Sequence, residues 1–514
     1  MTSAPRLMGI DLGAGSLKTM IVAADGAVLG SASADIPTHS PHPGWSEQDP
    51  QDWWRALCAT VPRALQAAGC AAEEIAAVSF SAGAHTPVLE DRDGRLLRPA
   101  ILWNDQRSGA EAAELQASDG ERILATTLNR PTPTWTLPQL LWLARHEPGI
   151  VERTHRLYVA KDWLRTRLTG GWETDRTEAV GTLMYDVPAD RWSHELCTRI
   201  GWNPATLPPI VGTAQVVGEV TSSAAAASGL RAGTPVVCGT SDTSIETFGV
   251  GSVAPGDGTI KLATAATVSI VGEAPRVHPT LINYPLVVPG LWYTITGTNS
   301  CASAHRWLRD RFFAHDERDG RSAFDVMDRL AAEVPAGSQG LLFHPYLRGE
   351  RAPHWDPLLR ADFIGMTFAH DRGHFVRALY EGIAYSLRDI LEQFRAQGLG
   401  MSSARLAGGG ARSACWRQIV ADVLGVEVLL PAVTDASFGA ALVAGVGAGV
   451  FASERSAAAA CTRIVGRAEP DAARHAYYGE LFELYRRSQA ALVSTHHALS
   501  RLREAPPSAA EPAR

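Results

Sequence analysis

A pattern that occurs twice places the strongest constraint on the fold: an apolar strand with a loop of small residues and an aspartate at its end. Residues 7–11 form an apolar run that ends at Asp11, and the small residues of segment 13–16 follow it. Residues 236–239 form a second apolar run, which leads into small hydroxyl residues around Asp242. Strands and loops of this kind, alternating with helical patterns, are typical of the α/β class. The repetition predicts an internal duplication with a cleft between the two halves.

The length of the chain supports two domains. At 514 residues it is well above the ~250–300 residues at which a single hydrophobic core stops growing. The periodic pattern breaks between residues 224 and 235, where an alanine run and glycine-containing turns occur. We therefore predict domains at residues 1–235 and 236–490. Residues 504–514 are rich in alanine, proline and glutamate without periodicity, which predicts a disordered tail.

Hydrophobic periodicity predicts strands and helices in alternation. Strands are expected where apolar or β-branched runs lie between turns, and helices where apolar residues recur at helical spacing. His496 and His497 lie in a late helical stretch without metal-ligand spacing, so we expect them at the surface. The predicted strands are residues 7–11, 17–23, 76–80 and 236–239 with a pair over 259–271, and the predicted helices are residues 52–69, 139–145, 163–168 and 415–424.

Composition and charge exclude several classes of protein. Apolar residues make up 46% of the chain and charged residues 20%, which is the balance of an ordinary globular protein. The net charge of -7, with both signs interspersed, leaves no basic face, so no nucleic-acid partner is expected. The seven cysteines contain no CxxC pair, and no export signal precedes the first strand. These features predict a cytoplasmic protein.

One segment, residues 436–453, carries no charge over a length that nearly spans a bilayer. It is rich in glycine and alanine, and its weak apolarity favours a close-packed buried helix over a membrane span. No association with a membrane is therefore expected.

The loop after the first strand has the composition of a phosphate-binding loop. Its residues, 13–18, lie between two predicted strands, where glycines let the backbone approach a ligand with its N–H groups. The chain contains only three lysines, and one of them, Lys18, directly follows the glycines. An ordinary glycine hairpin turn is the alternative. The sequence lacks the P-loop pattern GxxxxGK followed by Ser or Thr, and it lacks a dinucleotide-binding GxGxxG with its helix and acid.

Three consecutive glycines, residues 408–410, form a second candidate for phosphate or nucleotide binding. They follow an apolar run and precede a predicted helix, whose N-terminal N–H groups and dipole favour a nucleotide phosphate or a close approach to adenosine. A merely structural turn is the alternative. Asp242 is a candidate general base because the small residues around it leave room beside its carboxylate, and a helix-capping role is its alternative.

Seven segments follow one another in a fixed order along the chain. They are residues 9–13 (GIDLG), 99–107 (PAILWNDQR), 161–165 (KDWLR), 345–353 (PYLRGERAP), 363–365 (FIG), 380–382 (YEG) and 408–412 (GGGAR). In sequence and order these segments resemble the FGGY carbohydrate kinases, and among them the xylulokinases. The resemblance covers roughly residues 7–490.

The resemblance implies an α/β protein with two actin-like ATPase domains, of the ribonuclease H-like type, and a cleft between them. The first domain would bind the sugar and the second the nucleotide. The implied reaction is ATP-dependent phosphorylation of a sugar hydroxyl, with D-xylulose giving D-xylulose 5-phosphate. Asp242 matches the catalytic base, and Asp11 matches the acid beside Mg²⁺ and the phosphates, so both are expected to be catalytic and Asp11 to be the metal ligand.

The same resemblance implies the remaining site residues. The expected partners are a small-molecule sugar and ATP, and a homodimer is compatible with the resemblance. The sugar-pocket positions, beside Asp242, are Ala84, His85, Trp103, Asn104 and Asp105, and the nucleotide-binding positions are Gly13, Ser16, Lys18, Thr264, Gly409 and Gly410.

Three departures from the family pattern bear on the substrate. Gly83 and Ala84 stand where xylulokinases usually have Gln and Met, which predicts a larger sugar pocket. Alanines flank Thr264 where the family has Gly and Ser, and Gln139 stands where the family has Lys. A kinase for ribulose, erythritol, glycerol or a heptulose, and a catalytically inactive sugar-sensing protein, therefore stay open as alternatives.

Overall fold

The computed structural model describes residues 5–316 and 322–504, and the chain divides into two compact units built from interleaved segments. The first unit comprises the described parts of Met1–Pro255, Val271–Thr294 and Ala432–Arg463. The second comprises those of Gly256–Ile270, Ile295–Pro431 and Ile464–Arg514. A single boundary at residue 235 takes no account of this exchange, and the roles assigned to the two domains stay predictions. The predicted tail lies outside the described residues, apart from Glu504 at the end of the last helix.

Strands and helices alternate along the chain, as the sequence predicts. The strands are β1 (Arg6–Leu12), β2 (Ser16–Ala23), β3 (Val28–Asp35), β4 (Glu47–Gln48), β5 (Ile75–Ala82), β6 (Pro87–Glu90), β7 (Ala100–Ile101), β8 (Arg156–Val159), β9 (Thr174–Asp175), β10 (Tyr185–Asp186), β11 (Arg191–Trp192), β12 (Ile210–Val211), β13 (Val216–Glu219), β14 (Pro235–Val237), β15 (Thr240–Ser241), β16 (Asp257–Leu262), β17 (Ala266–Gly272), β18 (Ile282–Pro285), β19 (Trp292–Gly297), β20 (Leu342–His344), β21 (Asp362–Ile364), β22 (Ser403–Ala407), β23 (Glu427–Pro431) and β24 (Ile464–Ala468). The helices are α1 (Pro50–Ala68), α2 (Gly109–Thr127), α3 (Thr136–His146), α4 (Pro148–Arg153), α5 (Ala160–Thr169), α6 (Arg176–Gly181), α7 (His194–Arg199), α8 (Ser222–Ser228), α9 (Asp242–Gly249), α10 (Ala302–Phe312), α11 (Ala323–Glu333), α12 (Arg372–Ala396), α13 (Ala414–Leu424), α14 (Ala436–Gly447), α15 (Glu454–Cys461) and α16 (Ala472–Glu504).

A mixed sheet forms the centre of the first unit. Its strand order is β13-β14-β5-β1-β2-β3, and β15 also pairs with β5. β1 is antiparallel to β2 and parallel to β5, so a hairpin is followed by a parallel crossover. α1 packs against β2 and β3 with Trp53, Leu57 and Val61 fully buried. The predicted strand, loop and strand at the start of the chain are therefore confirmed.

The second unit repeats this plan. β16 is antiparallel to β17 and parallel to β22, which is the arrangement of β1 with β2 and β5. The strand order continues β17-β16-β22-β23-β24. Each unit therefore contains a hairpin followed by a parallel strand. The two segments that the sequence pairs as a repeat, residues 7–11 and 236–239, are not the equivalent strands, because β1 and β14 both lie in the sheet of the first unit, where each pairs with β5.

α14 is the uncharged segment of the sequence, and its small residues let it pack closely in the first unit. A Cβ atom on Gly9 of β1 would lie 1.9 Å from the carbonyl oxygen of Ser437, and one on Gly439 would lie 2.4 Å from that of Ile245. The backbones therefore meet where only glycine fits. The predicted close-packed buried helix is confirmed, and no described helix has the length and apolarity to cross a bilayer.

The prediction for His496 was wrong. Its side chain is buried on α16, with Nε2 3.2 Å from a carboxylate oxygen of Asp362. The partner is more than a hundred residues away in sequence, so local spacing gives no sign of this contact. His497 is partly exposed and its Nε2 lies 2.6 Å from Asp356.

The contact between Gly9 and α14 gives a stability prediction. Gly9→Ala should lower the free energy of unfolding by about 2–3 kcal/mol, because the added methyl group forces α14 away from β1. Gly149→Ala is the matched control in the same unit, since nothing lies within 4 Å of its Cβ position. Urea unfolding of the full chain measures both. Equal midpoints for the two variants would contradict the described packing.

Candidate active site

Parallel strand pairing brings Asp11 and Asp242 to the same end of the first sheet. Asp11 in β1 lies opposite Ser81 in β5, and Thr240 in β15 lies opposite the same Ser81. Asp242 follows β15 directly, as the first residue of α9. Ligand sites of α/β sheets lie at the carboxyl ends of parallel strands, which is where both carboxylates are found.

Asp11 is surrounded by negative charge. The hydroxyl of Ser81 donates a hydrogen bond to its Oδ1. Burial raises the pKa of Asp11 to about 8, the Ser81 bond opposes this rise, and the charges of Asp242, Asp435 and Glu246 add to it. A carboxylate held in this way among other carboxylates favours a bound cation that restores charge balance.

Asp242 is not the N-cap residue of α9. Ser241 is the N-cap residue of α9, and Asp242 is the first helical residue. Its Oδ1 accepts from the backbone N–H of Thr243 at 2.5 Å and from the Thr243 hydroxyl at 3.1 Å. Its Oδ2 lies 4.0 Å from the position that a Cβ on Gly83 would take. Oδ1 is thus held by Thr243, while Oδ2 lies near Gly83, at the predicted sugar pocket.

The donors around Asp11 fit Mg²⁺ held largely by a substrate. Hard cations prefer oxygen ligands, and Mg²⁺ usually takes one or two carboxylates together with phosphate oxygens and water. Among the described residues, no group of three or more His, Cys, Asp or Glu side chains could by itself hold a metal ion. Asp11 therefore fits as a single carboxylate ligand, and no protein cage accompanies it.

The loop between β1 and β2 carries Gly13, Ser16 and Lys18. The Gly13 N–H donates to the carbonyl of Ser16 at 2.9 Å, which closes the turn, and the next two residues are exposed at its tip. Lys18 Nζ lies 2.5 Å from Oδ2 of Asp435, the N-cap residue of α14. Lys18 is therefore held by an ion pair at the carboxylate cluster. Phosphate binding by this loop stays a prediction.

The space beside Gly83 is already filled, so the expected enlargement of the sugar pocket is not found at that position. A Cβ on Gly83 would lie 3.1 Å from Cδ1 of Trp103, and the cavity behind these residues holds only about 20 Å³. The Trp103 indole occupies the room that a longer side chain at position 83 would need. Trp103 is 44% exposed and Asn104 is exposed, so both present surface to solvent, and Ala84 is half-buried.

His85 is a neutral imidazole with both nitrogens in use. Nδ1 lies 3.1 Å from the carbonyl oxygen of Thr134, which can only accept, so Nδ1 carries the hydrogen. Nε2 accepts from the hydroxyl of Tyr284 at 2.6 Å. The ring stacks on Trp135 at a centroid distance of 4.1 Å. Burial lowers the pKa of His85 to about 4.

Asp105 has partners within the protein. Its carboxylate accepts from the backbone N–H of Ser46 at 2.6 Å, and it receives three bonds from Arg107, at 2.8, 2.9 and 2.8 Å. Arg107 also stacks on Trp45 at 3.7 Å. A sugar contact through Asp105 would have to share these bonds.

Gln139, which departs from the lysine of the family pattern, is buried and donates to the carbonyl of Leu102 at 3.2 Å, so it supports the segment that carries Trp103.

In the second unit, two of the three consecutive glycines have packing reasons. A Cβ on Gly408 would lie 2.5 Å from the carbonyl oxygen of Leu262, and one on Gly410 would lie 2.9 Å from Trp416. Gly409 is exposed with nothing within 4 Å of its Cβ position. The structural interpretation therefore holds for Gly408 and Gly410. Gly409 is the glycine that a ligand could approach, and nucleotide binding there stays a prediction.

Thr264 lies in the turn between β16 and β17, and the first residues of α10 pack against this turn. Its carbonyl oxygen accepts from the backbone N–H of Cys301 at 3.1 Å and from the Ser303 hydroxyl at 2.7 Å. Its hydroxyl oxygen accepts from Nη2 of Arg306 at 3.1 Å. The turn is thus held by α10, and a guanidinium lies at the exposed side of Thr264.

Sequence reasoning missed several residues at these sites. Ser81 lies in β5, one residue beyond the strand predicted at residues 76–80, and no local pattern in the sequence relates it to Asp11. The other missed residues are Glu246, Tyr284, Arg306 and Asp435, and they reach the sites through contacts that depend on the tertiary fold. Glu246 also has a local signal, because it lies four residues after Asp242 in the sequence.

Comparisons with known proteins place the chain among sugar kinases. The FGGY family of carbohydrate kinases, N-terminal domain, matches residues 6–249, and the C-terminal domain of that family matches residues 258–448. Xylulose kinase of Bacillus subtilis is 32% identical over 487 residues, covering 93% of this chain and 96% of that protein. Gluconokinase of Bacillus subtilis is 28% identical, covering 83% and 84%. The crystal structure of xylulose kinase from Rhodospirillum rubrum has a TM-score of 0.88 at 31% identity, covering 96% of this chain and 100% of that one.

The environment of His85 gives a prediction about its titration. With a pKa of about 4 in the folded protein, against about 6.5 in an unfolded chain, the ring should stay neutral at pH 5.5. The folded-state pKa is depressed for a base, so this group's contribution to stability is present above pH ~6.5 and is lost as the pH falls towards about 4. NMR of ¹³C-histidine-labelled protein measures the midpoint, with His85→Gln for assignment. A midpoint near 6.5 in the folded protein would contradict the described contacts.

Proposed function

The chain belongs to the FGGY family of carbohydrate kinases, and we propose that it transfers the γ-phosphoryl group of ATP to D-xylulose, giving D-xylulose 5-phosphate. It is a xylulokinase-like carbohydrate kinase, and kinases of this family use ATP. The observation that carries the proposal is the position of Asp242, whose Oδ2 lies 4.0 Å from the Cβ position of Gly83, while Cδ1 of Trp103 lies 3.1 Å from that same position. A carboxylate and an aromatic side chain near one point suit the hydroxyl and the carbon chain of a sugar.

Asp242 is the proposed general base. In the reaction, the terminal hydroxyl oxygen of the sugar attacks the γ-phosphorus while the bond from that phosphorus to the β,γ-bridging oxygen breaks. The hydroxyl proton passes to a carboxylate oxygen of Asp242, and ADP leaves with the bond's electron pair. The Thr243 contacts to Oδ1 fix the carboxylate plane, so it need not reorient as the proton moves.

Asp11 is the proposed ligand of Mg²⁺. Burial, together with the carboxylates around it, raises its pKa, so a cation bound there lowers the free energy of its ionised form. When bound, Mg²⁺ would offset the negative charge of the ATP phosphates. Lys18, held at the same cluster by Asp435, is the proposed phosphate-contacting side chain of the first unit.

The charge of the first unit's site favours an uncharged sugar. Asp11 and Asp242 are acidic groups and His85 is neutral, so none of the three offers a positive charge to an aldonate carboxylate. Gluconate is therefore the weaker candidate, although the gluconokinase of Bacillus subtilis is a relative. A ketopentose offers hydroxyls for Asp242 and an apolar face for Trp103.

The second unit offers the proposed nucleotide contacts. Gly409 is open to a ligand, and Thr264 carries an exposed hydroxyl that already accepts from Arg306. The Arg306 guanidinium supplies positive charge and directed N–H donors, which suit a phosphate. We propose Thr264 and Gly409 as nucleotide-binding residues, with Arg306 added to them, and Gly410 as the residue whose packing against Leu262 and Trp416 holds this nucleotide-binding turn in place.

An ADP-release assay with Mg²⁺ and ATP tests this proposal. D-xylulose should give a higher kcat/KM than D-ribulose, erythritol, glycerol, sedoheptulose or gluconate. Asp242→Asn should lower kcat by about 10²–10⁴-fold, because the general base is lost while the sugar contacts remain. Asp93→Asn is the matched control, since its side chain is 66% exposed on a turn of the same unit.

The outcomes distinguish the alternatives. A different preferred sugar, with the same loss in Asp242→Asn, would overturn the xylulose assignment and keep the base. Sugar binding without ADP release by the wild-type chain would identify a sugar-sensing protein. Full activity in Asp242→Asn would remove Asp242 from the mechanism.

A further inference from the structure

We propose that a buried chain of contacts from Lys161 through Asp175 to Thr240 positions Asp242, and that Thr240 is a positioning residue for the phosphoryl transfer. The inference rests on the proposed function, because it takes Asp242 to be the general base. It assigns a role to Lys161, one of the three lysines of the chain, which the mechanism above does not use.

The contact nearest to the base is made by Thr240. Its hydroxyl donates to Oδ2 of Asp175 at 2.6 Å, and both side chains are fully buried. Thr240 lies in β15, two residues before Asp242, and β15 consists of only two residues. So short a strand has few backbone bonds, and the Thr240 side chain adds a fixed point immediately before α9.

Asp175 can serve as an anchor because it is itself held on several sides. Lys161 Nζ lies 3.1 Å from its Oδ1, and the N–H of Thr177 donates to its Oδ2 at 3.0 Å as the N-cap bond of α6. Lys161 Nζ also lies 2.5 Å from Asp162. Burial lowers the pKa of Lys161, but the neighbouring carboxylates raise it by more, so the ammonium stays charged. A buried charge with paired partners resists displacement, since moving it exposes an uncompensated charge.

A second contact ties α6 to the other side of Asp242. The carbonyl oxygen of Pro285 accepts from the hydroxyl of Thr177 in α6 at 3.1 Å and from the hydroxyl of Ser244 in α9 at 3.3 Å. Ser244 lies two residues after Asp242. The chain is therefore held on both sides of Asp242. Before it, Thr240 donates to Asp175, the N-cap residue of α6, and after it, Ser244 shares the Pro285 carbonyl with Thr177 of α6.

A positioning role and a purely structural role for Thr240 predict different effects of substitution. Valine has nearly the shape of threonine and would fill the same buried space, so a role in packing alone would tolerate it. Without the hydroxyl, the hydrogen bond that joins β15 to Asp175 is lost, and Asp242 can shift. A misplacement of about 1 Å in a catalytic group can cost roughly 10²-fold in rate, whereas substrate binding elsewhere is unaffected.

Steady-state kinetics of four variants of the full chain test the inference. Thr240→Val should lower kcat by about 10–100-fold while the KM values for D-xylulose and ATP change by less than about 2-fold. Thr240→Ser, which keeps the donor, should retain most of the wild-type kcat. Thr174→Val is the matched control, because Thr174 is buried next to Asp175 and its Oγ1 has no hydrogen-bond partner among the described residues. Asp242→Asn completes the set.

The set separates failure of the inference from failure of the proposed function. A kcat for Thr240→Val equal to that of Thr174→Val, with Asp242→Asn inactive, would overturn the positioning role and leave the base in place. Wild-type activity in Asp242→Asn would overturn the proposed base, and the inference with it. If Thr240→Val does not unfold cooperatively, Thr240→Ala, which also lacks the hydroxyl, takes its place and is judged by the same criterion against Thr240→Ser, which keeps it.

Discussion

The close approach of the backbone at Gly239 to β5 is the constraint on which the carboxylate site depends. Gly239 has a φ of +74°, and a Cβ there would lie 2.0 Å from the carbonyl oxygen of Phe80. Only glycine combines that conformation with that distance. The chain therefore leaves β14, turns at Gly239 and pairs again with β5 as β15, which places Asp242 at the strand ends beside Asp11.

Electrostatics then divides the first unit into parts with different tasks. The ion pairs of Lys161 are fully buried, which suits an anchor that must not move. The cluster around Asp11 instead carries an excess of negative charge, which suits a cation and the phosphates that come with it. His85 stays neutral and uses both nitrogens within the protein, so it shapes the aromatic wall with Trp135 and Tyr284. The neutral His85 and the carboxylates of Asp11 and Asp242 are compatible with the proposed substrate, an uncharged molecule rich in hydroxyl groups.

Several strands, the close packing of α14 and the candidate residue Asp242 could be predicted from the sequence, because each depends on residues that are neighbours along the chain. Strand periodicity gave β1, β2 and β5, glycine and alanine content gave the packing of α14, and small residues pointed to Asp242. The rest depends on contacts between distant segments. No periodicity indicates that Tyr284 reaches His85, that the Trp103 ring fills the space at Gly83, or that segments of the chain interleave between two units.

If Asp242 is the general base, its carboxylate faces the hydroxyl that is phosphorylated, and a crystal structure of the protein with D-xylulose bound would show this arrangement. The terminal hydroxyl of the sugar is then expected within about 2.6–3.2 Å of a carboxylate oxygen of Asp242, with the carbon chain against Trp103. A complex in which another hydroxyl faces Asp242, or in which the sugar lies away from this carboxylate, would contradict it.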